Sequence, residues 1–89
     1  MKDKTYNGWT NYATWRVNLE VIDGIDLRDH FDELPDAYDA GQWAKGVVES
    51  LVYESSDSLT RDWALAFISD VDWFSIGRHL IENASEVNA

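Results

Sequence analysis

Seven carboxylates lie between residues 23 and 39, at Asp23, Asp26, Asp29, Asp32, Glu33, Asp36 and Asp39, with Arg28 as the only base among them. That segment carries −6 of the chain's net charge of −10. The first four acids recur at every third residue. On a helix, positions three apart are separated by about 5–6 Å at Cβ. Phosphates along one DNA strand repeat on a comparable scale, because the duplex rises about 3.4 Å per base on each strand. A rigid row of this kind can occupy a groove built for a phosphate backbone, with Asp26, Asp29, Asp32, Glu33, Asp36 and Asp39 as the contacts. The simpler reading is the polar face of an amphipathic helix, whose acids also suit the positive end of its dipole.

Other reactive residue types are sparse. A calcium loop of the EF-hand kind needs acids at alternate positions, a mid-loop glycine and a closing glutamate; neither "DGIDLRDHFDE" nor "DAYDAG" matches that spacing. His30 and His79 are the only histidines, they sit alone with no H-E-x-x-H motif, and there is no cysteine, which argues against a zinc site. Ser75 and His79 are four residues apart and could meet on one helical face, but a nucleophile needs a base arranged beside it. Neither a G-x-S-x-G elbow nor a phosphate-cradling glycine loop is present. A short helical chain also rarely walls off a substrate pocket. The expectation is a non-enzymatic protein with no metal and no cofactor.

The elements that would position the acids follow from the pattern of apolar residues. Eighty-nine residues make one domain. Five Trp, four Tyr and three Phe supply the large side chains that a small core needs. Asn7-Gly8 marks a turn, and Thr10 or Asn11 can cap a helix to Ile22 with Tyr12, Trp15, Leu19 and Ile22 on one face. Gly24 suits the left-handed position after its end. Residues 25–34 read as a short amphipathic helix capped by Asp26, with Leu27, Phe31 and Leu34 inward, and Pro35 closes it. "DAYDAG" reads as a loop or a single helical turn.

A third helix, residues 42–54, carries two adjacent stripes, Trp43-Val47-Leu51 and Ala44-Val48-Val52. Gly46 within it suggests a close helix crossing. Ser58 caps a fourth helix over residues 59–69, with Leu59, Trp63, Ala66 and Phe67 inward. Asp72 caps the last, whose apolar side holds Trp73, Ile76 and Leu80 beside Phe74, Ile81 and Ala84, and whose end "SEVNA" should fray. The fold class is therefore all-α, a small compact bundle of four to five helices over residues 1–89.

The N-terminal "YNGWTNYATW" resembles the signature, roughly N-G-W-x-N-Y-x-T-W, of a family of small proteins from bacteriophages, plasmids and other mobile elements. "VDWFSIGRHLIE", Val71 to Glu82, is similar to that family's closing helix. The likeness covers about a third of the chain, at both ends, and leaves residues 23–70 unmatched. Many relatives have Glu at the position of Ala13, where it would complete a capping box with Thr10. With Ala13 that bond is lost, which favours Asn11 as the cap. The resemblance implies a mobile-element setting, not a defined activity.

Charge narrows the function. Seventeen acids against seven bases repel phosphate backbones, which argues against direct nucleic-acid binding and for basic partners. No apolar run reaches the roughly 18 residues of a membrane span, and the expected location is cytoplasmic. Taken with the mobile-element resemblance, the acids suggest a DNA mimic that occupies the basic surface of a host defence complex of the CRISPR or restriction type. The alternative is an adaptor that docks a partner through an apolar patch near Tyr6 and Trp9.

Overall fold

The computed structural model describes residues 8–55 and 57–88, the last three of these by backbone alone. Four α-helices run α1 (Tyr12–Val17), α2 (Ala37–Ser55), α3 (Ser58–Ile68) and α4 (Trp73–Asn88). A π-helical turn, Asn18–Ile22, extends α1, and a 3-10 turn, Leu27–Asp29, stands before α2. There is no strand among the described residues. The all-α bundle read from the sequence is the observed fold class. The molecule is a slab of 43 × 37 × 19 Å. Its thin dimension is about two helix diameters, so a helix in either layer has one covered face.

The principal pair is α2 against α4, and two glycines let them approach. A Cβ on Gly41 would strike the Trp73 carbonyl, and one on Gly77 would strike the backbone of Ala37 and Gly41. The close crossing expected at Gly46 is therefore at Gly41 and Gly77. Gly46 is exposed, and nothing lies near the site of its missing side chain. Helix α2 begins at Ala37, so "DAYDAG" is helical for most of its length. Asp36 accepts the Asp39 N–H at 2.8 Å, and Pro35 stands just outside the helix. Ala40, Gly41, Ala44 and Val48 are its buried face. Trp43 and Val47 are half-buried, and Leu51 is exposed.

Helix α1 turns a different face inward from the one its large residues mark. Ala13, Thr14, Val17 and Asn18 are buried, while Tyr12 and Leu19 are exposed and Trp15 is half-buried. Asn11 is the cap, accepting the Thr14 N–H. The π turn widens the helix where the Asp23 N–H donates to the Asn18 carbonyl five residues back, at 2.7 Å. Inward positions then recur as pairs four residues apart, ending at Val21 and Ile22. Gly24, with φ +92°, takes the left-handed conformation expected of it.

Helix α3 is likewise rotated from its expected orientation. Ile68 is buried and Ala64 and Leu65 are half-buried, whereas Leu59, Trp63, Ala66 and Phe67 face solvent. Its cap is Asp57 rather than Ser58. Helix α4 buries Ile76, Leu80 and Ala84 as expected but leaves Phe74 exposed. Its backbone is helical through Asn88.

Candidate functional site

The six carboxylates read as partner contacts lie on the chain leading into α2 and on its first turn. The helix expected over residues 25–34 is a single 3-10 turn, so the ladder of acids at helical spacing is not formed. Leu27 is what holds this stretch: it is fully buried, while Phe31 packs edge-on against the Trp43 ring at 5.6 Å. Leu34 points outward. One apolar anchor at each end of so short a segment gives a turn and a loop, not an amphipathic helix.

Asp26 caps the 3-10 turn through the Arg28 N–H and grips the Arg28 guanidinium, with Nη2 to Oδ2 at 2.7 Å. These hydrogen bonds, the side-chain pair first, lower its pKa to about 2. Asp26 is thus half-buried and engaged within the chain. Asp29, Asp32, Glu33, Asp36 and Asp39 are exposed. Asp36 also caps α2, a role that leaves its carboxylate facing water.

The N-terminal signature forms a polar latch between α1 and the start of α4. Asn11 Oδ1 accepts from both the N–H and the hydroxyl of Thr14, at 2.9 and 2.7 Å. Asn11 Nδ2 donates to the Asp70 carbonyl at 2.9 Å, and the fully buried Thr14 hydroxyl accepts the Asp72 N–H at 2.8 Å. Asp72 Oδ2 accepts from the hydroxyls of Thr10 and Ser75, at 2.7 and 2.9 Å. Trp9 sets its ring against the His79 ring of α4, with centroids 4.9 Å apart. Ser75 is engaged with Asp72, and His79 is paired with Asn83. The possible Ser75–His79 couple is not formed.

Asp72 has its pKa lowered, first by the Thr10 hydroxyl and then, against the opposing effect of burial, by Ser75 and the Phe74 N–H. A carboxylate whose folded pKa lies below its ordinary 3.8 contributes in full above that value and loses its contribution as pH falls through the folded value. Asp26 and Asp57 titrate in the same direction. Thermal melts from about pH 7 to pH 2 should therefore show stability falling below about pH 4. The Asp72→Asn variant should show a shallower fall, because one of the three linked groups is gone. An equal acid slope in the two proteins would mean that Asp72 is not held by these bonds.

Beside the latch lies an apolar groove that sequence periodicity did not reveal. It has a volume of about 420 Å³ and runs between α1 with its π turn, the second half of α2, and α3. Val17, Val48 and Ile68 are buried beneath it. Tyr12 and Phe67 meet edge to face at 6.3 Å along it. The α3 stripe continues outward through Trp63, 71% exposed, and Leu59, 61% exposed. The available clue was a second, smaller stripe on α3, Ala64-Leu65-Ile68, which competes for the core and wins it.

Of the N-terminal patch expected near Tyr6 and Trp9, Tyr6 lies outside the described residues and Trp9 is half-buried. Among the described residues, no group of His, Asp and Glu is placed to hold a metal ion, and no helix is long and apolar enough to cross a membrane. No family model matches the chain, and neither the curated proteins nor the solved structures contain a significant match.

Proposed function

We propose that this chain is a non-enzymatic, acidic interaction protein that binds a basic surface on a partner protein. The observation that carries the reading is the set of five exposed carboxylates, Asp29, Asp32, Glu33, Asp36 and Asp39, in a chain of net charge −10. Arg28, the nearest base in sequence, is paired with Asp26. The partner feels a negative surface that steers encounter and then forms carboxylate–arginine pairs. Such a surface excludes nucleic acid from whatever basic groove it covers. With the mobile-element resemblance, the partner class is a cytoplasmic defence complex of the host, of the CRISPR or restriction type. The mimicry does not depend on a helical ladder, because exposed carboxylates on a turn and a helix start present the same charge.

The test is capture from host lysate at about 50 mM and about 500 mM salt, where screening shortens the reach of surface charge. Capture should be strong at the lower salt and lost at the higher. The triple variant Asp29→Asn, Asp32→Asn, Asp36→Asn should capture at least about tenfold less, a loss of roughly 1.4 kcal/mol or more. Asparagine still caps a helix, so α2 should survive at position 36, and circular dichroism checks that it does. Capture that ignores both salt and the substitutions would sink this reading. It would favour the adaptor alternative, relocated from the N-terminus to the apolar groove.

A further inference from the structure

The exposed stripe on α3 is the feature least accounted for by the acidic surface. Leu59, Trp63 and Phe67 are spaced four residues apart along one face and span about 12 Å of helix. Soluble monomers seldom leave contiguous apolar surface of this kind open without a use. The groove beside the stripe has a buried aliphatic floor and an aromatic wall, the form that accepts the apolar face of another helix.

The charges around the stripe specify that helix further. Asp62 precedes Trp63 and follows Leu59 by three residues, beside the stripe, and Asp70 follows Phe67 by three residues, just past the end of α3; both are exposed. On the α1 side, Arg16 is paired with Glu20. Arg61 on α3 donates to the Tyr53 carbonyl at 3.4 Å and lies over the Tyr53 ring. The bases beside the groove are thus engaged, and the balance at its edges is negative. A second copy of the chain would bring another net −10 and a second pair of Asp62 and Asp70 to this face, which like-charge repulsion opposes.

We propose that this groove is a docking site for a short amphipathic helix of a partner protein, two to three turns long, apolar on one face and bordered by lysine or arginine. Its apolar residues lie against Tyr12, Phe67 and Trp63, and its bases meet Asp62 and Asp70. The site uses none of the carboxylates between Asp29 and Asp39, so it goes beyond the acidic-surface reading and stands or falls separately.

The probe is a leucine–lysine amphipathic peptide of about fourteen residues, long enough that its central two to three turns cover the stripe, with a scrambled peptide of identical composition as control. Titration followed by amide and indole N–H resonances should move the Trp63 indole signal, and the patterned peptide should bind at least about tenfold tighter than the scrambled one. Trp63→Ser with Phe67→Ser should weaken binding at least about tenfold, and Leu59→Ser alone should weaken it in the same direction. The Asp29, Asp32, Asp36 triple variant should change binding by less than about threefold. Equal binding of the two peptides, an equal loss in the triple variant, or an unmoved Trp63 signal would overturn the proposal. So would a dimer in sedimentation at about 100 µM that Trp63→Ser dissolves, since the occupant would then be a second copy.

Discussion

Gly77→Ala is expected to remove about 3 kcal/mol or more of stability, against a total of about 5–10 kcal/mol for a domain of this size. The added methyl would meet the Ala37 carbonyl and the backbone of Gly41. A side chain in the way can swing to another rotamer, but a helix backbone can only move as a body, so α2 and α4 must separate. Separation opens gaps around Ala40, Ala44, Ile76 and Leu80, which are fully or almost fully buried. Gly41→Ala should cost a comparable amount, because its methyl would meet the Trp73 carbonyl.

The two substitutions act on one crossing, so their costs should not add. Once the helices have parted for the first methyl, the second finds room already made, and the double variant should fall short of the sum by about 1 kcal/mol or more. Gly46→Ala has the opposite sign. That glycine has open space around it in the same helix, and alanine should stabilise by about 0.5–1 kcal/mol through helix propensity alone. Urea denaturation midpoints for the four variants test the set. A mild Gly77→Ala would mean that the helices are not in backbone contact.

This contrast between glycines shows what was legible in the sequence and what was not. Glycine in a helix announces a close approach or a tolerated cost, and only the partner helix decides which. Periodicity located four of the five expected helices and the inward Ile76-Leu80-Ala84 series, and turn chemistry placed Gly24 and offered Asn11 as one of two caps. It failed where two stripes on one helix compete. On α1 and α3 much of the larger, more hydrophobic stripe is exposed, Tyr12 and Leu19 on α1 and Leu59, Trp63 and Phe67 on α3, and the smaller one turns inward where neighbours pack closely: Ala13 and Thr14 are buried on α1, and on α3 Ile68 is buried and Ala64 half-buried. In a slab only two helices thick, covering one face of a helix leaves the opposite face bare whatever its composition. The acids were legible as exposed charge, because carboxylates seldom go inside. Their secondary structure was not, because three-residue spacing suits a helix and is also produced by a turn and a loop in succession.

Thr14→Val is expected to destabilise by about 2–3 kcal/mol, and Thr14→Ser by only about 1 kcal/mol. Volume alone predicts the reverse order. Valine has nearly the shape of threonine and sits well at a fully buried position, whereas serine leaves a methyl-sized gap. The latch inverts that ranking. Valine strips the Asp72 N–H of its acceptor and Asn11 Oδ1 of one donor, in a site too closed to offer full replacement. Serine keeps both bonds. Asn11→Ala should fall nearer valine than serine, because it removes a helix cap, typically worth about 1 kcal/mol, together with the bond to the Asp70 carbonyl.

Thermal and urea unfolding of the three variants measure the order, and a valine variant milder than the serine one would show that the hydroxyl is not structural. The outcome also bears on what the "YNGWTNYATW" signature is for. Asn11 and Thr14 from that stretch meet Asp70 and Asp72 at the start of the closing helix. If valine outranks serine, the signature encodes how α1 is fastened to α4. A partner would then be chosen by surfaces outside it, the exposed acids and the α3 stripe.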